Sequence, residues 1–358
     1  MVRNADLLAW SALPGITLVC VSPFGSEVSE DAPEMSSADL LCDERQTTRH
    51  LLMIRPSHFG PNPQTAESNQ FQQPAMHSAA DVSVQAMREF DGVIAALDRA
   101  GVQTSVVADV PGGRTPDAVF PNNWMSTHCD GTVVLYPMAA ANRRAERRLD
   151  ILDRLAAEGG FHVRRVIDLS GLEQSGSYLE GTGSLVFDRP RRTAFAARSA
   201  RTHEMALAEF SRLTGYRIVA FNASIGAGQA VYHTNVLMSL GRHIAVLCSD
   251  AIGDRAERRA VCAELMTSRH CLLSVSADQV LQFAANCLEV DSPDGAVLVL
   301  SETALRSLCL AQRRVLERYT ALLPVDVATI EHVGGGSVRC MLAEIHLPRS
   351  AQLDSLPV

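Results

Sequence analysis

The sequence predicts an α/β fold built from a repeated unit of strands plus one helix. Three observations predict it. Short apolar runs alternate with amphipathic helical stretches from residue 48 onward. Hairpin-like strand pairs sit between the helices. The unit recurs roughly every 50–60 residues, a period long enough to suggest a propeller-like array. Alternation of β and α alone also suits a doubly wound sheet, and periodicity does not separate the two.

The elements follow in order. Leu51-Leu52-Met53-Ile54 is a buried strand bounded by Arg55-Pro56. Met87, Phe90, Ile94 and Leu97 fall at helical spacing, which predicts a helix from Ser83 to Ala100 stopped by Gly101. A strand from Val102 to Val107 comes next. A helix over 143–157 carries Leu149, Leu152 and Leu155 on one face. Leu185–Phe187 and Thr193–Ala196 form a hairpin around Asp188-Arg189-Pro190-Arg191. A helix over 202–214 ends at Gly215 and leads into a strand from Tyr216 to Phe221. Asp254 with Glu257, and Ser276 with Gln279, each have capping-box spacing. The last helix is expected over 312–322, before a strand from Val325 to Ile330.

Residues 1–47 differ from the rest. An apolar patch from Leu7 to Cys20 is broken by Pro14, and an acidic, serine-containing stretch follows. The patch is too short to span a membrane, and it offers no convincing signal-peptide cleavage site. The segment reads as a disordered extension ahead of a single catalytic domain over 48–358.

Bulk composition excludes several classes. At 358 residues and 47% hydrophobic content, the chain can bury a large core without staples. It has a net charge of −8 and no lysine, so it lacks the basic face that phosphate neutralisation requires. Nucleic acid and membrane are set aside as partners. The nine cysteines are odd in number and avoid CxxC pairs, which reads as reduced thiols in a cytoplasmic protein. Cys and His do not cluster at ligand spacing, so no metal site is expected. No GxGxxG follows a strand and no Walker loop is present, so no nucleotide cofactor is expected. A homo-oligomer stays open.

Four segments could carry chemistry. Gly334-Gly335-Gly336-Ser337-Val338-Arg339-Cys340 ends a glycine run on a cysteine, where backbone N–H groups and Arg339 could favour a thiolate. The bland reading is a tight turn followed by a small buried residue. Tyr232-His233-Thr234-Asn235 leads into an expected strand, and alternation would put His233 and Asn235 on one face. A lone histidine there is more often structural. Glu180 precedes Gly181-Thr182-Gly183 and could orient His233 or hold a substrate nitrogen; its bland reading is a solvated loop carboxylate. Asp117 stands in Pro116-Asp117-Ala118-Val119-Phe120-Pro121-Asn122-Asn123-Trp124, where it could bind an N–H-rich group or simply make a turn.

Taken together, these segments resemble the guanidine-modifying superfamily of amidinotransferases, arginine deiminases and dimethylarginine hydrolases, above all its citrulline-utilisation hydrolase branch. The matching stretches are MIRPSHFGPNPQTAESNQFQ from Met53, PDAVFPNNW from Pro116, YPMAAANRRAER from Tyr136, GSYLEGTGSLVFDR from Gly176, YHTNVLM from Tyr232 and GGGSVRCMLAEIHLP from Gly334. The resemblance implies a pentein-type α/β propeller of five ββαβ-like modules around a pseudo-fivefold axis. It implies that Cys340 attacks the central carbon of a guanidino or ureido group. His233 would protonate the departing amine and then activate water, and Asp117 and Glu180 would hold substrate nitrogens. No metal or cofactor is implied. Asn123, Asn235, Arg144 and Arg339 complete the expected substrate contacts, with Arg143 a further candidate for a substrate carboxylate.

The arginine-deiminase pattern carries an acid two residues after the catalytic histidine, and here Asn235 stands there. An amide can donate to a ureido oxygen, whereas an ionised carboxylate there would cost of order 1–3 kcal/mol if buried. On that argument the expected activity is hydrolysis of citrulline to ornithine, ammonia and carbon dioxide. The rival readings are a hydrolase or deiminase of a guanidino compound such as arginine or methylated arginine, an amidinotransferase, and a non-catalytic binding protein of the same fold.

Overall fold

The computed structural model describes residues 16–21, 44–112, 115–226 and 228–349. Its strands are β1 Thr17–Cys20, β2 His50–Arg55, β3 Gln103–Ala108, β4 Met125–Thr127, β5 Thr132–Leu135, β6 Arg165–Asp168, β7 Val186–Asp188, β8 Thr193–Ala197 and β9 Arg217–Phe221. They continue as β10 Ser224–Ile225, β11 Gln229–Ala230, β12 Met238–Leu240, β13 Ile244–Leu247, β14 Cys271–Ser274, β15 Leu288–Ser292, β16 Gly295–Ser301, β17 Ala321–Val325 and β18 Ala343–Glu344.

One pattern recurs in five sheets. A central strand pairs antiparallel with one neighbour and parallel with the other, giving β18-β2-β3, β4-β5-β6, β7-β8-β9, β12-β13-β14 and β15-β16-β17. The parallel pair needs a long crossover. Helices supply it: Ala79–Arg99, Asp150–Gly159, Glu204–Thr214, Arg255–Thr267, and the pair Glu302–Ser307 and Leu310–Leu316. The first sheet borrows its antiparallel strand from the far end of the chain, with Ala343 opposite Leu52 and Glu344 opposite Leu51.

The central strands are buried on both faces, which is why they read as continuous apolar runs. Side chains alternate along a strand, and the two faces feed different cores. Leu51 and Met53 join one apolar cluster while Leu52 and Ile54 join the next. Ala194 and Ala196 face one cluster, and Phe195 and Ala197 another.

The sequence-based boundaries move where tertiary contacts win. The first long helix begins at Ala79, because Ser78 Oγ accepts from Asp81 N. The expected helix over 143–157 splits into a 3₁₀ turn, Ala141–Glu146, and a helix, Asp150–Gly159. Burial of the Arg143 guanidinium among Glu146, Asn123 and Phe120 O sets the turn's geometry. Asp254 caps its helix, but Glu257 turns away from the cap to Asn222 and Arg198. Near the C-terminus the strand lies at Ala321–Val325, and residues expected in a strand form the helix Ala328–Gly334. Glu89 accepts from the first free N–H groups of that helix.

The expectation of a disordered extension through residue 47 is corrected in two places. Thr17–Cys20 pairs parallel with β6 as a fourth strand of its sheet. Glu44 is buried between Arg189 (3.0 Å) and His128 (3.1 Å), so its charge is matched by partners from two sheets. The rest of that segment lies outside the described residues. The expectation of nine reduced thiols also fails, since Cys129, on the turn between β4 and β5, is disulfide-bonded. Parity of the count carries no information on which distant thiols the fold brings together. No helix among the described residues is long and apolar enough to cross a membrane.

Candidate active site

Five connections lead from the parallel outer strand of one sheet into the first strand of the next. Asp117 and Asn123 lie between β3 and β4, Glu180 between β6 and β7, His233 between β9 and β12, Asn286 between β14 and β15, and Cys340 between β17 and β18. Four of the connections end in a short helical turn: Pro121–Asn123, Gly181–Ser184, Thr234–Leu237 and Val338–Met341. Residues far apart in sequence therefore occupy equivalent places in the repeat, and the repeat brings them together. Asp117, Asn123, Arg143, Arg201, His233 and Cys340 line one cavity.

Cys340 sits on the turn Val338–Met341 rather than on a glycine loop, and it is buried. Burial pushes its thiol up from the ordinary value, against hydrogen bonds from Asn286, the charge of Arg339 and a bond from the Ser337 backbone.

His233 precedes a helical turn, not the expected strand, so His233 and Asn235 do not share a strand face. His233 Nε2 lies 2.8 Å from Glu180 Oε2. Burial lowers the imidazole to about 4, with the Glu180 carboxylate acting in the opposite direction. Glu180 is itself buried, which alone would raise it, but Arg201, His233 and Arg143 hold it well below the usual carboxylate range. The pair is a carboxylate and a neutral imidazole. Nε2 donates to Glu180, which leaves Nδ1 as the basic nitrogen.

The glycines of the Glu180 motif serve this geometry. Gly181 has φ +46°, and a Cβ there would lie 2.3 Å from Asn122 O. A Cβ at Gly183 would lie 2.7 Å from His233 Nδ1 and 2.5 Å from Asn123 Nδ2. A side chain at either position collides with the site.

Both oxygens of Glu180 already accept from protein donors. Its Oε1 accepts from Ala139 N (3.1 Å), and Oε2 is shared by His233 and Arg201. Asp117 differs. Its Oδ2 accepts from Asn62 Nδ2 (2.7 Å) and lies 3.7 Å from Arg143 Nε, while the buried Oδ1 has no hydrogen-bond partner among the described residues. Asn123 Oδ1 accepts from Arg143 (2.9 Å), and the buried Asn123 Nδ2 has no hydrogen-bond partner among the described residues.

Three expected substrate contacts are not brought to the cavity. Arg144 pairs with Glu173 and Met138 O. Arg339 donates to Leu342 O and pairs with Glu344, because its side chain balances a buried carboxylate on the far side of the turn. Asn235 lies behind Cys340, where its amide donates to Thr182 O (3.1 Å) and stands 3.7 Å from Sγ. Arg143 does reach the cavity, but Glu146, Asn123 and Phe120 O take most of its donors. Burial pushes Glu146 up to about 7 despite that contact.

Sequence reasoning missed Arg201, Thr65, Asn69 and Asn286. Arg201 is buried over the Tyr232 ring (4.8 Å) and holds the segment around Thr65 and Ser68 by donating to Thr65 O and Ser68 Oγ. Asn69 ties the same segment to Gly334 O and Gly335 O. Arg201 and Asn286 lie outside every glycine-rich or proline-rich loop, so no local signal marked them. Thr65 and Asn69 stood inside a matching stretch with no chemistry to single them out.

A family model described as N,N dimethylarginine dimethylhydrolase, eukaryotic, matches residues 55–347. A search of the curated proteins returns no match. Among solved structures, the substrate-bound N-terminal domain of ArgZ, an arginine dihydrolase from the ornithine-ammonia cycle in cyanobacteria, superposes with a TM-score of 0.64 at 16% identity, over 83% of this chain and 97% of that one. AgrE with ornithine and NAD+ gives 0.62 at 18% identity, over 84% of this chain and 39% of that one. A dimethylarginine dimethylaminohydrolase adduct with S-methyl-L-thiocitrulline gives 0.57 at 13% identity, over 84% and 100%. At these identities the structures share a fold with this chain, the mixed α/β pentein fold.

Proposed function

This chain belongs to the N,N-dimethylarginine dimethylhydrolase family, a group of hydrolases acting on C–N bonds of guanidino compounds, and we propose that its own substrate is a guanidino amino acid such as arginine or a methylated arginine. The observation that carries this reading is Asp117 Oδ1, a buried carboxylate oxygen without a partner in the cavity that Cys340 and His233 also line. A guanidinium offers only N–H donors and a positive charge, which is what that oxygen lacks. The five sheets read as the blades of a propeller around a pseudo-fivefold axis, a reading supported by the convergence of their equivalent connections.

The chemistry follows from the residues. The Cys340 thiol passes its proton to the neutral His233 as Sγ forms a bond to the guanidino carbon. The C–N bond to the departing amine breaks as His233 delivers a proton to that nitrogen. His233 then takes a proton from water, the oxygen adds to the same carbon, and the C–S bond breaks. The products are a ureido amino acid and ammonia or a methylated amine.

Asn235, on which a preference for citrulline was expected to turn, is not among the residues lining this cavity, and its Nδ2 stands 3.7 Å from Cys340 Sγ. One observation still favours a ureido group. Asn123 Nδ2 is a buried donor without a partner, and a ureido oxygen could accept from it. The deciding experiment measures amine and ureido products from arginine, dimethylarginine and citrulline, with Cys340→Ala as control. Citrulline formed from a guanidino substrate, and lost in the variant, supports the proposal. Ornithine released from citrulline alone overturns it in favour of the ureido reading.

A further inference from the structure

The fifth equivalent connection, between β14 and β15, contributes a group that the reaction scheme above leaves out. Asn286 is fully buried and does not line the cavity. Its Nδ2 lies 3.0 Å from Asn235 O and 3.4 Å from Cys340 Sγ. The amide orientation is fixed by chemistry, since only the NH₂ end can face the Asn235 carbonyl. One hydrogen goes to that carbonyl, and the other is shared between the sulfur and Asn235 Oδ1, each 3.4 Å from Nδ2. Asn235 repeats the arrangement at longer range, its NH₂ fixed by Thr182 O at 3.1 Å and standing 3.7 Å from Sγ.

We propose that Asn286 is part of the catalytic machinery, as the side-chain amide that holds the Cys340 thiolate by an N–H donor from behind the cavity. The proposal rests on the reading of Cys340 as nucleophile. Two features support it beyond distance. Among the described residues, the side-chain hydrogen bonds of the sulfur all involve these two amides, whose Oδ1 atoms also stand 3.9 Å (Asn235) and 3.8 Å (Asn286) from it. The segment is also held in a costly conformation. Phe283 takes φ +59°, a left-handed geometry that a bulky side chain rarely adopts, and its carbonyl accepts from Asn286 N at 2.8 Å. Burial opposes ionisation of Cys340, and a neutral donor stabilises the thiolate without adding a charge that would repel a cationic substrate.

The test is the pH dependence of Cys340 alkylation by chloroacetamidine in the full chain, with the modified cysteine located by mass spectrometry. Asn286→Ser and Asn286→Asp are compared with wild type. The midpoint is expected to rise by about one to two pH units, with kcat for the guanidino substrate falling at neutral pH and KM unchanged. An unshifted midpoint in both variants, with Cys340 still the labelled thiol, overturns the inference alone. Labelling that does not favour Cys340 in wild type overturns the nucleophile reading instead. Should the variants fail to fold, nitrogen-15 asparagine labelling of the wild-type chain reads the same contact. A side-chain N–H signal that follows thiol ionisation, and is static in Cys340→Ala, supports the proposal; the absence of any such signal overturns it.

Discussion

Glu180 Oε2 accepts from His233 Nε2 at 2.8 Å, and both side chains are buried. Glu180→Gln turns this contact against the site. Ala139 N needs an oxygen at the other branch of the side chain, so the glutamine NH₂ would face His233. The imidazole would then carry its proton on Nδ1 and lose the basic nitrogen on the Gly183 side. Turnover is expected to fall by roughly 10²- to 10⁴-fold with little change in KM. Steady-state kinetics on the substrate identified by the product assay checks this, and a change confined to KM would contradict it.

Asp117→Asn separates the two substrate classes. The amide oxygen must stay where Asn62 donates, so the NH₂ would face the cavity in place of the unpaired oxygen. A guanidino substrate should lose roughly ten- to a hundredfold in kcat/KM, the worth of a hydrogen bond to a charged group. Citrulline, with its carbonyl oxygen, should lose less. Parallel kinetics on arginine and citrulline give the comparison.

Asn235→Asp tests where that residue acts. Placed 3.7 Å from Sγ, the new carboxylate should raise the pH at which Cys340 is alkylated and slow turnover at neutral pH, while leaving the ratio of guanidino to ureido turnover unchanged. A reversed substrate preference would return Asn235 to the role first expected from the sequence.

Stability should fall as the pH drops below about 6.5. His50, His233 and His346 are each lowered from 6.5 to about 4, in every case first by burial. Between those values the unfolded chain binds more protons than the folded one, by as many as three from these histidines, so acid favours unfolding. Glu44, Glu180 and Glu344, held below the usual range by buried cationic partners, act in the same direction once the pH falls through their unfolded value of 4.5. Glu146, raised to about 7, opposes them, because its contribution is lost as pH rises from 4.5 to 7. Melting temperature measured from pH 8 to pH 4 should decline across this window. A flat profile would mean that the three imidazoles are not held neutral by the fold.

The repeat was legible because its physics is local. Leu51–Ile54 is apolar on both faces, and Leu149, Leu152 and Leu155 share one helix face whether or not the turn before them is helical. Boundaries failed where a distant group intervened. The Arg143 guanidinium broke an expected helix, and Glu89 capped one that had looked like a strand. Within the site, Cys340, His233, Glu180, Asp117 and Asn123 stood out because each lies in an unusual loop. Arg201 and Asn286 did not, being ordinary residues in ordinary segments whose importance comes only from the direction of their donors.

By itself, then, the sequence determined the strand and helix content, the repeating unit, and the residue types able to carry nucleophilic and acid–base chemistry. These follow from periodicity and side-chain chemistry, which are properties of neighbours along the chain. Tertiary structure alone decided which groups face the cavity. It sent Asn235 behind the sulfur, Arg339 to Glu344, and both oxygens of Glu180 to protein partners, while leaving Asp117 Oδ1 unpaired. The reason is that a buried polar atom is available to a ligand only when no protein atom satisfies it, and its competitors come from other strands, loops and sheets.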